Sequence, residues 1–203
     1  MGRAISDDDA GQLDGRVARR KRNVDAVLDV VLEMFGEEAL FPTIEQAATR
    51  SGLSLRSLYR YFADPAELLE ATIVRSRERG REAAQLHAIG EGPRDDRIDD
   101  FVASRLRLYD SVGPVYRATV ANAARLPRIQ DELTDTRNAF REQFAVQFKP
   151  ELQAKTPKER AVALSVGDLV SQLDSVDYLR RHRGLSVPDT KRVITSTIDA
   201  ALR

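Results

Sequence analysis

Apolar residues recur at spacings of three and four along most of the 203-residue chain, and this periodicity restricts the fold more than any other feature. Such spacing places the apolar side chains on one face of a helix. The segment 24–35 is an example, with its apolar face formed by Val24, Val27, Leu28, Val31 and Phe35. Strict alternation, which is typical of strands, is not evident. The sequence therefore predicts an all-α protein of about nine helices.

Prolines and capping residues predict where the helices begin. Thr43 and Ser54 precede short helices expected over 44–50 and 55–61, and Gly52 suits a left-handed turn between them. The pairs Asp64-Pro65 and Thr156-Pro157 each combine a capping side chain with proline in the first turn. The other predicted helices cover 65–86, 95–112, 114–126, 127–148, 157–183 and 188–202.

Composition excludes several classes of function. The chain has no cysteine, which excludes disulfides, thiolate catalysis and cysteine-held metals. It has two histidines and none of the spacings typical of a nucleophile site, a phosphate-binding loop or a metal site. We therefore expect no enzymatic activity, no cofactor and no metal. Without an 18-residue apolar run or the pattern of a signal peptide, we expect a cytoplasmic protein with no membrane partner.

The 32 cationic and 32 anionic side chains balance, but they are unevenly distributed. Three aspartates at 7–9 precede a cluster of basic residues at 16–22. One interpretation is a solvated helix start after a disordered tail, and the other is an arm that contacts nucleic-acid phosphates. We expect residues 1–15 to form a disordered acidic leader. The candidate phosphate-binding residues of the arm are Arg19, Arg20 and Arg22.

Residues 43–62, TIEQAATRSGLSLRSLYRYF, have the spacing of two helices joined by a tight turn. Ala48 is small where the helices must approach, Gly52 lies at the turn, and Leu58 points beneath the second helix. This spacing is typical of a DNA-binding helix-turn-helix, whose second helix enters the major groove. An alternative is a helical enzyme or a protein-interaction module in which this motif is only a packing unit. The predicted outward residues suit phosphates and base edges, and they are Ser54, Leu55, Arg56, Ser57, Tyr59, Arg60 and Tyr61. The alternative for Tyr59 and Tyr61 is that they pack inside the domain.

Five short motifs make a resemblance to a known family specific: LEMF at 32–35, TIEQAA at 43–48, SGLS at 51–54, LYRYF at 58–62 and ELL at 67–69. Over roughly a quarter of its length, the chain resembles the TetR family of transcriptional regulators. The resemblance implies a helix-turn-helix DNA-binding domain over 16–68 and a helical effector-binding and dimerisation domain over 69–203. It implies a homodimeric repressor that a small-molecule effector releases from double-stranded operator DNA.

The resemblance also implies roles for single residues. They are phosphate contact for Thr43, Tyr59 and Tyr61, and base contact for Arg56 and Ser57. Pro65 stands where the family usually has a phosphate-contacting lysine, so we expect that contact to be missing.

The second half of the chain matches the family only as a pattern of helices. The predicted helices over 157–183 and 188–202 have continuous apolar faces, which could pair with their symmetry mates or could only close their own domain. The candidate dimer residues are Val166, Leu169, Leu173, Ile194 and Ile198. The candidate effector-binding residues mix bulky apolar and hydrogen-bonding groups, as ligand sites do, and they are Tyr109, Tyr116, Asn122, Phe140, Phe144 and Gln172.

Overall fold

The computed structural model describes residues 7–37, 42–87 and 89–203, which contain ten α-helices and no strand. The prediction of an all-α protein is therefore confirmed. The chain divides into two compact units, 1–75 and 76–203, so the boundary lies seven residues beyond the one expected at 68. Within the described ranges, no helix combines the length and apolar character needed to cross a membrane.

The first unit contains three helices and the beginning of a fourth: α1 (Asp7–Glu37), α2 (Ile44–Ser51), α3 (Leu55–Tyr61) and α4 (Pro65–Ala83). Helix α2 packs against both α1 and α3. The expectation of a disordered leader is wrong for residues 7–15, which belong to α1, while residues 1–6 lie outside the described part. The basic residues at 19–22 are likewise helical residues of α1.

Side-chain caps hold the starts of α2 and α3 where the sequence predicts them. The hydroxyl of Thr43 accepts from the backbone N–H of Gln46 at 3.2 Å, and the Gln46 side chain accepts from the Thr43 N–H at 2.8 Å. Ser54 caps α3 by accepting from the N–H of Ser57 at 3.2 Å. Gly52 ends α2 with a left-handed φ of 71°. Because glycine has no Cβ, it adopts this conformation without strain, so the chain can turn within three residues.

The second unit contains the rest of α4 and six further helices. They are α5 (Arg94–Ala123), α6 (Pro127–Gln147), α7 (Lys149–Gln153), α8 (Pro157–Ser171), α9 (Leu173–Asp177) and α10 (Val187–Leu202), with a π-helical turn at Tyr178–His182. Helices α5 and α8 each pack against both α6 and α10, and α9 packs against α5. The core of this unit therefore lies between α5, α6, α8 and α10.

Two prolines lie next to predicted helix boundaries. Pro114 lies inside α5, which continues to Ala123, so the predicted break at 113 is wrong. A proline leaves the carbonyl four residues earlier without its helical donor, and here that residue is the exposed Asp110, whose carbonyl water can reach. Helix α6 ends at Gln147, one residue before the predicted end at 148, and Pro150 occupies the first turn of α7, where its missing N–H has no helical acceptor.

The single helix predicted over 157–183 is wrong, because the chain breaks at Gln172. Its backbone is extended, with φ −67° and ψ 150°, and it separates α8 from α9. In a continuous helix Leu169 and Leu173 would share one face, but Leu169 is 71% exposed and Leu173 is 1% exposed. The break turns Leu173 and Val176 into the core, so tertiary burial overrides the local periodicity.

Candidate nucleic-acid interface

Helix α3 has one side in the core and the other side open to solvent. Leu58 is fully buried and anchors the helix against the first unit. Leu55, Arg56, Tyr59 and Arg60 are exposed, as predicted. Arg56 makes no hydrogen bond or ion pair with any other residue of the described part of the chain. Its guanidinium is therefore available to a molecule outside the chain.

Tyr61 does not project outward, so that prediction is wrong. It is 9% exposed, and its hydroxyl accepts from the side-chain amide of Asn23 at 3.2 Å and from Nη2 of Arg60 at 3.4 Å. These two donors hold the pKa of Tyr61 below its usual value, because both favour the ionised phenol oxygen. Tyr61 therefore links α3 to α1 and leaves part of its ring beside a surface groove.

The groove beside Tyr61 has a volume of about 540 Å³ and is strongly basic. The guanidinium carbons of Arg20 and Arg60 lie 5.9 Å and 5.3 Å from the Tyr61 ring centroid. Three guanidinium groups from two helices meet here with amide and hydroxyl donors, which suits an anionic oxygen. The groove is lined by Arg19, Arg20, Asn23, Leu53, Ser57, Arg60 and Tyr61. Arg22 is exposed on α1 but is not part of this lining.

The predicted hydroxyl contacts have local roles in the helix caps. The Oγ atoms of Ser54 and Ser57 lie 2.9 Å apart, and Ser54 also caps the backbone of α3. Thr43 is exposed while its hydroxyl caps α2. These side chains therefore fix the first turns of α2 and α3.

Tyr59 is 49% exposed, and its hydroxyl donates weakly to a carboxylate oxygen of Glu45 at 3.4 Å. The pKa of Glu45 is lowered by a backbone N–H and by the Thr43 hydroxyl, with a smaller contribution from Tyr59. A fully exposed hydrogen bond of this length is weak, so the Tyr59 hydroxyl can exchange Glu45 for another acceptor.

Only part of the predicted dimer face is accessible. Leu169 is 71% exposed and Val166 is half-buried, so a partner can reach both side chains. Leu173, Ile194 and Ile198 are at most 1% exposed and belong to the core of their own protomer. The prediction that these three residues contact a partner is therefore wrong. Val162 and Val193, which are 58% and 40% exposed, are accessible apolar residues that can be added to the candidate dimer surface. The sequence pattern did not separate them from the buried residues.

The two predicted effector-site tyrosines are anchors within the second unit. The hydroxyls of Tyr109 and Tyr116 donate to Asp177 and Asp174, each at 2.7 Å. Burial and the Asp177 carboxylate raise the pKa of Tyr109 to about 12, and burial with Asp174 raises that of Tyr116 further. Both hydroxyls therefore stay protonated at neutral pH, and they tie α5 to α9.

The other predicted effector residues make local hydrogen bonds or lie in the core. Asn122 donates to the Ala118 carbonyl of its own helix at 2.8 Å, and Gln172 donates to Asp168 at 2.5 Å. Phe140 and Phe144 are buried in the core. None of the six lines the groove of about 1000 Å³ in this unit, which is formed by Glu78, Arg81, Glu82, Ala84, Gln85, Leu86, Ile89, Ala139, Glu142, Gln143 and Val146.

Arg105 was not predicted, although it is fully buried in α5. The sequence could have indicated its burial, because Arg105 lies four residues after Phe101 and four before Tyr109, within a stripe of buried residues. An arginine at such a position is unusual, because charged side chains are rarely buried without a partner.

Comparisons with known proteins do not place the chain in a family. No protein-family model matches it, and no curated protein sequence is significantly similar to it. The functional argument therefore depends on the geometry of α1, α2 and α3.

Proposed function

We propose that this protein is a sequence-specific DNA-binding transcription regulator of the TetR type, which reads its operator with α3. The observation that carries the proposal is the exposed face of α3, with Arg56, Tyr59 and Arg60 beside the arginine-lined groove. The short turn through Gly52 between α2 and α3 supports the proposal, because a DNA-binding helix-turn-helix joins its two helices by such a turn.

The exposed residues differ in what they can recognise. Arg56 lies in the first turn of α3 without an internal partner, and a free guanidinium can bind O6 and N7 of guanine together. The Tyr59 hydroxyl and the Arg60 guanidinium suit phosphate oxygens, which fix the orientation of the helix on DNA. In this proposal Arg19 and Arg20 of the groove add phosphate contacts from α1.

The proposed function includes a homodimer, because one short helix reads only a few base pairs and operators commonly contain two half-sites. The accessible stripe of α8, formed by Val162, Val166 and Leu169, has the three- and four-residue spacing of a helix-packing face. Apolar grooves of about 550 and 440 Å³ adjoin this stripe. In the proposed mechanism, an effector in the second unit shifts the dimer toward a conformation that binds the operator poorly.

The test starts with selection of genomic DNA fragments by the purified protein, followed by binding titrations on the enriched sequence. We expect Arg56→Ala to weaken binding by about 1–3 kcal/mol and to relax preference at one base pair. Tyr59→Phe should weaken binding to all sequences alike, since it removes a phosphate contact. Arg125→Ala is the matched control, because Arg125 is an exposed arginine of the second unit. If no fragment is enriched, or if both α3 variants bind like wild type, the proposal is wrong.

A further inference from the structure

Arg105 of α5 is the largest fully buried side chain in the described structure, and its charge has no counter-ion there. Its guanidinium carbon lies 4.5 Å from the ring centroid of Phe101 and 4.6 Å from that of Phe140. Nη2 makes one long hydrogen bond of 3.4 Å to the Phe140 carbonyl. Nε and Nη1 are buried and have no partner among the described residues.

Arg97, two turns earlier on the same helix, shows how this fold satisfies a buried guanidinium. It is 5% exposed, and its Nε donates to the Gly92 carbonyl at 3.2 Å. Nη1 donates to the Gln147 carbonyl at 2.7 Å, and the Glu151 carboxylate accepts from both Nη1 and Nη2. Every nitrogen of Arg97 is therefore paired, whereas two nitrogens of Arg105 are not.

The charge on Arg105 persists despite its burial. Desolvation lowers the pKa of Arg105 to about 10, which still leaves the group protonated at neutral pH. An isolated buried charge is strongly unfavourable, and a chain that retains one gains nothing in stability from it. The two ring contacts compensate only part of this cost, because a cation–π contact is weak beside the desolvation of a full charge.

We propose that Arg105 is the recognition group of a buried site for a small monocarboxylate. The Phe101 and Phe140 rings lie 4.5 and 4.6 Å from the guanidinium carbon, and Nε and Nη1 remain as unpaired donors. A carboxylate suits such a group, because its oxygens accept charged N–H donors in the plane of the guanidinium. A more highly charged anion such as phosphate would lose more hydration beside the two rings, so the site favours a monoanion.

Two ion pairs connect this site to the rest of the second unit. Phe140 lies on α6, between Arg137 and Arg141 of the same helix. Arg137 pairs with Asp174 at 2.9 Å, and Arg141 pairs with Asp168 at 3.0 Å, so α6 is joined to both α9 and α8. A ligand that moves Phe140 would therefore act on the helix that carries Leu169. This regulatory role rests on the proposed function, whereas the carboxylate site itself does not.

The site is tested by thermal unfolding and calorimetric titration of the full chain with benzoate and butyrate, at constant ionic strength. The uncharged probes are benzamide and butyramide, and sodium chloride tests for a nonspecific counter-ion. We expect the carboxylates to bind and to raise Tm, and the amides and chloride to do neither. Arg105→Met should lose this response, and its ligand-free Tm should rise because the uncompensated charge is gone. Arg107→Met, which changes an exposed arginine of the same helix, should respond like wild type.

A second variant keeps the test decisive if Arg105→Met fails to fold. Arg105→Lys keeps the charge but not the planar set of donors, so we expect carboxylate affinity at least about tenfold weaker than wild type. The site is refuted if neither carboxylate binds to wild type or raises its Tm. Buried water would then be the only partner left for Arg105. The site is also refuted if chloride acts equally, or if either Arg105 variant responds like wild type. If wild type binds the carboxylates but binds no DNA fragment, only the proposed function is overturned.

Discussion

Replacing Glu151 by leucine should destabilise the second unit strongly, because it leaves Arg97 as an uncompensated buried charge. The Glu151 carboxylate accepts from Nη1 at 3.0 Å and is the acceptor for Nη2, while the Gly92 and Gln147 carbonyls serve the other N–H groups. Removing one member of a buried pair costs about 3–5 kcal/mol. Since two carbonyl acceptors remain, we expect about 3 kcal/mol, a large part of the usual 5–15 kcal/mol of total stability.

The free energy of unfolding lost in Glu151→Leu should depend on pH, in a direction set by the pKa of Glu151. Burial raises the pKa of Glu151, but the hydrogen bonds and charge of Arg97 outweigh burial and hold it below the usual value. A carboxyl group with a lowered pKa in the folded state stabilises the protein above its unfolded pKa, near 4.3, and this contribution disappears as the pH falls through the folded pKa. The difference between wild type and Glu151→Leu should therefore be complete at pH 7 and should shrink below about pH 4.

Urea unfolding followed by circular dichroism measures both effects. The double variant Arg97→Met/Glu151→Leu should recover more than half of the lost free energy of unfolding, because it removes the charge together with its partner. Arg192→Met removes an exposed ion pair with Asp189, 75% and 47% exposed, and should cost less than about 0.5 kcal/mol. A loss below about 1 kcal/mol for Glu151→Leu, or simple additivity in the double variant, would refute the reasoning.

Two further predictions concern the proposed interfaces. The double variant Arg19→Ala/Arg20→Ala should reduce the slope of log affinity against log salt by about 0.9 per lost phosphate contact, and an unchanged slope would exclude the groove from DNA binding. Leu169→Glu changes a residue that is 71% exposed, so the protomer should stay folded while sedimentation shifts to monomer and operator affinity falls. A Leu169→Glu protein that remains dimeric would place the interface elsewhere, and Ile198→Glu cannot decide the question because Ile198 is buried in its own protomer.

The sequence by itself determined the helical class and most helix starts, because these depend on neighbouring residues. A capping hydroxyl reaches an N–H only three residues away, as Thr43 and Ser54 do. Gly52 likewise takes its left-handed conformation for local steric reasons. The opposed positions of Leu58 and Arg56 on α3 follow from the helical repeat, so most of the exposed face of that helix was predictable.

Only the tertiary structure decided what each face meets. Periodicity places Leu169 and Ile198 on apolar faces, but one of them is exposed and the other is buried against its own chain. The break at Gln172 likewise depends on burial of the residues that follow it. The partners of buried arginines are equally remote, since Glu151 lies 54 residues from Arg97 and the Phe140 carbonyl 35 residues from Arg105. Local sequence does not show which residues so far apart in the chain will meet, so whether a buried charge is paired depends on the packed structure.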